Sequence, residues 1–187
     1  MKDFIIQNDV LISYHGKESH VIIPQNITKI ATDAFKDNKH IENIIINDEM
    51  EDIGCRAFAA CTRLKSITFP DKKMIIRDKC FYKCVSLENI TLPQITSIAP
   101  SLFQYCRSLK SLYIPDTVNK ICMSAFKKCD KLEYIHIPKS VKLIRPFVFA
   151  HCYSLKHIYL EGDNNPLSEN SIIHCCPHIH FVSEYNY

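Results

Sequence analysis

Phenylalanine recurs along the chain at Phe35, Phe58, Phe81, Phe103, Phe126 and Phe149, at intervals of 23, 23, 22, 23 and 23 residues, and Ile173 continues the series. Other apolar positions keep the same register. Six residues after each come Ile41, Leu64, Leu87, Leu109, Leu132, Leu155 and Ile179, and nine after come Ile44, Ile67, Ile90, Leu112, Ile135, Ile158 and Val182. Eleven after come Ile46, Phe69, Leu92, Ile114, Ile137 and Leu160, and five before stand Ile30, Ile53, Ile76, Ile98, Ile121 and Ile144. So many coincident columns define an internal repeat, which decides the architecture before any single residue does.

The unit reads P-x-x-[VI]-x-x-I-x-x-x-A-F-x-x-C-x-x-L-x-x-I-x-[IL], and Pro24, Pro70, Pro93, Pro115 and Pro138 open most copies. Within it, L-x-x-I-x-I alternates apolar and polar residues and is rich in isoleucine, which predicts a short half-buried strand. The proline that follows has no N–H for a continuing ladder and ends the strand. From the second Ile to the Phe the apolar spacings are four and five, which suits a helical or 3₁₀ turn on the opposite side of the coil. Burying about six side chains does not offset the ordering of 23 backbones, so one unit cannot fold alone and neighbours must stack. The expectation is a right-handed α/β solenoid of about seven coils, with a parallel concave β-sheet and short helical or 3₁₀ turns on the convex side. Its parts are an N-terminal hairpin cap over residues 1–23, turning at Tyr14-His15-Gly16-Lys17, the solenoid over 24–161, and a degenerate last coil and cap over 162–187.

This unit resembles the BspA-like leucine-rich repeat family, leucine-rich repeat type 5, from about Val10 to Val182, and the opening DVLISYHGKESHVIIPQNITKIATDAF is similar to the entry segment of such proteins. The resemblance implies a leucine-rich repeat solenoid and a non-catalytic protein that binds host matrix or other proteins, as bacterial and protist surface proteins of the family do.

Composition narrows the remaining chemistry. With 47% hydrophobic and 23% charged residues the chain is that of a globular protein, and a net charge of +3 gives no electrostatic case for nucleic acid or an anionic membrane. Three glycines, at Gly16, Gly54 and Gly162, cannot supply a dinucleotide fingerprint, a phosphate loop or a nucleophile elbow. No stretch approaches a membrane span of ~18 apolar residues. The apolar runs near the N-terminus are too short for a signal-peptide core, which predicts a cytoplasmic protein as the sequence stands. The alternative is a surface or secreted protein whose signal has been removed.

Six of the 10 cysteines, Cys61, Cys84, Cys106, Cys129, Cys152 and Cys176, fall in one column three residues after the Phe. Stacked coils set them ~4.8 Å apart with parallel Cβ vectors, wider than the ~3.5–4.5 Å that a disulfide wants between Cβ atoms. A buried thiol ladder is therefore the reading. Cys55, Cys80, Cys122 and Cys175 fall in other columns.

The outward positions of the strand run from Asn43 and Ile45, through Ser66, Thr68, Asn89, Thr91 and Ser111, to Tyr113, Tyr134, His136, His157 and Tyr159. The last five make a contiguous patch on the concave sheet and are the candidate ligand-binding residues, since tyrosine offers a large contact face with a hydrogen-bonding tip. The competing reading is that tyrosine simply suits strands. His174, Cys175, His178 and His180 concentrate zinc-type ligands, but the repeat claims Cys176 for the core and an ordinary polar cap explains the rest. His151 precedes Cys152 directly, yet neighbours on a turn seldom present a thiol and its base to one substrate.

The sequence thus predicts a binding module with a protein ligand and no cofactor, nucleic acid or membrane insertion. A passive spacer is the alternative, and an enzyme on the C-terminal His/Cys cluster a third reading. Titration of thiols in denaturant without reductant should find all 10 cysteines free. Fewer would indicate disulfides and export.

Overall fold

The computed structural model describes residues 3–162 and 167, and the backbone of residues 180–182. The chain opens on an antiparallel hairpin of β1 (Phe4–Gln7) and β2 (Val10–Tyr14). It turns at Asn8, which has φ 57°, rather than at Tyr14–Lys17. The latter segment instead leads into β3 (His20–Ile22), the first strand of the solenoid's longer-stranded ladder.

That ladder is the L-x-x-I-x-I element of the repeat. It runs in parallel through β3, β5 (Asn43–Ile45) and β7 (Ser66–Thr68). It resumes through β10 (Ser111–Tyr113), β12 (Tyr134–Ile137), β14 (His157–Leu160) and β15 (His180–Val182). Register follows the repeat, with Asn43 opposite Ser66 and Tyr134 opposite His157, so Ile44, Ile67, Leu112, Ile135 and Ile158 all point into the core.

A second parallel ladder starts from β2, where Leu11 lies opposite Ile30, and continues in two-residue strands that carry the Ile five before each Phe. It comprises β2, β4 (Lys29–Ile30), β6 (Asp52–Ile53) and β8 (Ile75–Ile76), then β9 (Ser97–Ile98), β11 (Lys120–Ile121) and β13 (Leu143–Ile144). An isolated bridge between Lys73 and Gln94 lies where the two runs meet.

The expected helical or 3₁₀ turns are not there: between each Ile and the strand after the Phe, the described residues form turns and no helix. Hydrogen bonding gives the reason. In the first coil the amides of Asp33, Phe35 and Asp37 donate to the carbonyls of Cys55, Ala57 and Ala59 in the next coil, at 3.1, 2.8 and 2.8 Å. The amides between them, of Ala34, Lys36 and Asn38, close turns onto Ala31, Asp33 and Phe35 of their own coil. The same alternation recurs through Lys128, whose amide donates to Ala150 O at 2.9 Å. A helix would consume every amide within its own coil, whereas this segment must give every second one to its neighbour.

The residues two before and two after each Phe adopt the left-handed conformation that makes this possible. They are Asp33, Asp37, Arg56, Ala60, Lys79, Lys83, Ser101, Tyr105, Ser124, Lys128, Phe147 and His151, with φ from 54° to 68°. Glycine would be the default residue there. None of the twelve is glycine, and none is β-branched, the class that tolerates this region least.

Inside the coil the Phe column is buried and continuous. Its ring centroids lie 4.9 Å apart from Phe35 to Phe58, 5.7 Å from Phe58 to Phe81, and 5.6 Å at each later step through Phe103 and Phe126 to Phe149. Near-parallel planes at that separation are offset-stacked rings. Tyr14 and Phe4 extend the stack through the hairpin, at 5.1 and 4.8 Å, so the cap closes the column with aromatic surface of its own.

The cysteine column runs beside it, and all eight described cysteines are free thiols. Cys61, Cys84, Cys106, Cys129 and Cys152 each donate Sγ–H to the carbonyl of a Phe in the preceding coil, at 3.0–3.2 Å. Burial pushes the Cys61 thiol up to about 12 and raises Cys84, Cys106 and Cys129 as well, so they stay protonated and able to donate. Cys176 lies outside the described residues. In the first coil Asn38 takes the cysteine's place and donates Nδ2–H to Gly16 O at 3.1 Å.

The fourth coil breaks the longer ladder. Asn89–Thr91 form no strand, and a cleft of about 420 Å³ opens between them and Ser66–Phe69. This coil has the one 22-residue interval, and its missing residue falls between Pro93 and Ile98, five apart where Pro115 and Ile121 are six apart. The turn ladder continues past the break, with Lys79, Phe81 and Lys83 donating to Pro100, Leu102 and Gln104. No helix of the described residues is long and apolar enough to cross a membrane.

Two substitutions of opposite sign follow from the stack and the turns. Phe103→Ala removes a fully buried ring between two others and should cost about 3–5 kcal/mol in denaturant unfolding. Ser124→Gly relieves a left-handed residue and should raise stability by about 0.5–1 kcal/mol. A loss of stability for the glycine variant would contradict the assigned turn geometry.

Candidate functional site

Strand register sets the outward side chains of the longer ladder in two rows. One row runs Ile22, Ile45, Thr68 and then, past the break, Tyr113, His136, Tyr159. The other runs His20, Asn43, Ser66 and then Ser111, Tyr134, His157. At the N-terminal end the second row is a hydrogen-bonded string. Asn43 Nδ2 donates to His20 Nε2 at 3.1 Å, and Ser66 Oγ donates to Asn43 Oδ1 at 2.6 Å.

All five expected ligand-binding residues lie on these adjoining strands, but they are not equally available. Tyr113 is 57% exposed and Tyr134 47%, while His157 and Tyr159 are half-buried. His136 is only 7% exposed, so it does not belong on the contact surface that strand alternation assigns to it. Its ring lies flat against Tyr113, 4.7 Å between centroids at 8°, and Tyr159 occupies the matching position on the other side. Its Nε2 meets Glu161 Oε1 at 3.0 Å, and Glu161 Oε2 accepts the Lys139 amide at 3.3 Å. His136 thus forms the floor on which Tyr113 rests. The His157 and Tyr159 rings are 6.0 Å apart at 28°.

Glu161 was not among the candidate residues, although the repeat holds a sign of it. It sits twelve residues after Phe149, where Pro70, Pro93, Pro115 and Pro138 sit after their own phenylalanines. Asn47 is the other departure from that proline column, and it too is engaged, a buried side chain donating Nδ2–H to Ile27 O at 2.9 Å. Where the strand-ending proline is absent, a polar side chain bonds across coils. The face also carries exposed Ile22 (66%) and Ile45 (47%) at its N-terminal end. Ile22 precedes the first full repeat, so no repeat column assigns it a face.

The other chemical candidates separate in space or fall outside the description. Cys152 Sγ faces Phe126 O inside the core, whereas His151 Nδ1 meets Tyr153 Oη at 2.8 Å on the surface, so thiol and imidazole diverge. His174, Cys175 and His178 lie outside the described residues, as does the side chain of His180. Among the described residues no group of three or more His, Cys, Asp or Glu side chains could hold a metal ion.

Comparison with known proteins places this geometry in a family. The profile of the BspA type leucine rich repeat region matches in six copies, over residues 13–94 and 74–184. Among solved structures, the chain is similar to the Treponema pallidum leucine-rich repeat protein TpLRR, with 27% identity and a TM-score of 0.82 over 95% of this chain and 88% of that one. It is also similar to a leucine-rich cell surface protein from Faecalibacterium prausnitzii, at 25% identity and a TM-score of 0.71, covering 89% of this chain and 55% of the other. The pneumococcal vaccine antigen PcpA, at 22% identity and a TM-score of 0.53, shares the fold. No curated protein matches the chain. The repeat columns, the parallel ladders they build and the matched profile agree, and the chain belongs to the BspA-type leucine-rich repeat family.

Proposed function

We propose that the protein is a non-catalytic binding module that holds a protein ligand on the outward face of its longer ladder, with Tyr113 and Tyr134 at the centre of the contact and His157 and Tyr159 at its margin. The observation that carries this is the support beneath Tyr113. Its ring is exposed yet stacked on a buried histidine that is itself tied to Glu161, so the side chain is already ordered before a ligand arrives. Pre-ordered aromatic side chains make strong contact points because little freedom is lost on binding.

The column thiols Cys61, Cys84, Cys106 and Cys129 are buried and held protonated, so they supply no nucleophile to this face. One of the similar structures is a cell surface protein by its printed name, which favours an adhesin-like role at a surface over retention in the cytoplasm. A passive spacer would leave Tyr113 and Tyr134 without effect.

The test is affinity capture with the wild-type chain, followed by a titration of each captured and purified protein. Tyr113→Ala combined with Tyr134→Ala should weaken a true ligand by about 30-fold or more, as loss of an aromatic contact centre does. Unchanged affinity of every captured protein for the double variant would remove the tyrosine face from the account.

A further inference from the structure

Lys83, Tyr105 and Lys128 are the residues two after the Phe in three successive coils, on the turn face and away from the tyrosine sheet. Their backbones are fixed one coil apart, because each amide donates to the next coil at 2.9 Å and each residue has φ of 62°, 68° or 62°. Coil spacing then sets the two lysines on a line parallel to the solenoid axis, about 10 Å apart, with the tyrosine between them.

Three cations converge on the Tyr105 ring. Lys128 Nζ is 5.2 Å from its centroid, Lys83 Nζ 5.8 Å and Arg107 Cζ 5.9 Å. Tyr82 meets the ring edge-on at 5.6 Å and carries Lys83 as well, at 5.3 Å. The aromatic quadrupoles hold like charges together here, and the two lysines, which are in no ion pair among the described residues, leave the ring with a net positive field around it.

Elsewhere several cations are neutralised by carboxylates of the neighbouring coil. Arg56 is paired with Asp33, Arg77 with Asp52, and Arg63 and Lys65 with Glu42. Those partners hold the Asp33 and Glu42 carboxyls below the usual carboxylate range. By contrast, residues 79–131 carry eight Lys and Arg against three Asp and Glu, a local excess greater than the +3 of the whole chain. Within that stretch Arg107 meets Asp130 at 3.5 Å and Lys110 meets Glu88 at 3.8 Å. Among the described residues Lys83, Lys127, Lys128 and Lys131 are in no ion pair.

We propose that this turn-face cluster is a second binding site, for a linear sulfated polysaccharide lying along the solenoid axis across Lys83, Arg107 and Lys128. The surface disfavours two other modes of recognition. Its backbone amides are spent on the neighbouring coil, so it has no strand edge to offer a peptide. Single-stranded nucleic acid needs free aromatic faces for its bases, and the Tyr105 ring is attended by the protein's own cations. What the surface does offer is positive charge in a straight, preset line, which fits a polymer bearing permanent negative charge on every repeat. Tyr105 acts here as a positioning residue that gathers the cations.

The test measures binding of a heparin-derived decasaccharide by titration calorimetry at several salt concentrations. Wild type should bind with an affinity that falls as salt rises, with a log–log slope of about −2 to −3. Lys83→Gln with Lys128→Gln should weaken binding at least about tenfold and flatten that slope by about 2. Tyr105→Leu should weaken binding several-fold with the slope kept, because the charges remain but are no longer held together. Lys36→Gln, in the first coil, should bind as wild type does, and thermal unfolding of each variant checks the fold. No decasaccharide binding at 50 mM salt, equal binding by the double lysine variant, or equally tight binding of polyglutamate or single-stranded DNA would overturn the assignment.

Discussion

The bond on which this molecule most depends is the one from every second turn amide to a carbonyl of the next coil. Each coil gives three such amides, those of its Phe and of the residues two away on either side. To aim them outward, two residues per coil take the left-handed conformation, at a backbone cost of roughly 1–2 kcal/mol each. That cost is recovered only when the neighbouring coil is present to accept the bonds, so stacking is a condition of the turn geometry as well as its result. The buried Phe and Cys columns serve the same end. They fill the space inside the turn with side chains of one size at one spacing, and the thiol adds a further tie to the preceding coil.

This dependence explains what happens at the fourth coil. Its shortened interval costs it a place in the longer ladder, and a cleft opens beside Asn89–Thr91, yet the turn ladder and the Phe stack pass the break intact. A residue lost between the two ladders is tolerated because the continuity of the solenoid is held on the turn side. The same rigidity gives function two separate supports. One face presents Tyr113 ordered by the buried His136 and its partner Glu161, and the other presents cations ordered by an aromatic ring.

Much of the fold is legible in the sequence because it lies in columns. Among the described residues Phe35 through Phe149, the Cys column and the alternating strand positions each repeat one environment five or six times, and side-chain type alone reports burial and strand face. The turns are harder to read. Spacings of four and five between apolar residues suit a helix and a chain of left-handed turns alike, and the distinction lies in where the amides point. The sequence does carry one trace of it, the absence of β-branched residues at twelve positions, but an absence is visible only once its reason is known. The candidate site divides along the same line. Placement of Tyr113, Tyr134, His157 and Tyr159 on adjoining strands follows from the register, whereas the burial of His136 depends on Glu161. That residue lies beyond the strand and stands out only by replacing a proline.

Native-state hydrogen exchange of individual backbone amides tests the central claim most directly. The amides of Phe58, Phe81 and Phe103, and of their neighbours two residues away, should exchange only through global unfolding, with protection equal to that of the core strand residues Ile44 and Ile135. Asn89–Thr91, outside any ladder, should exchange early. If the turn amides instead exchange as fast as those of Asn89–Thr91, the bonds from turn to turn do not carry the stack, and the strand ladders alone must hold the coils together.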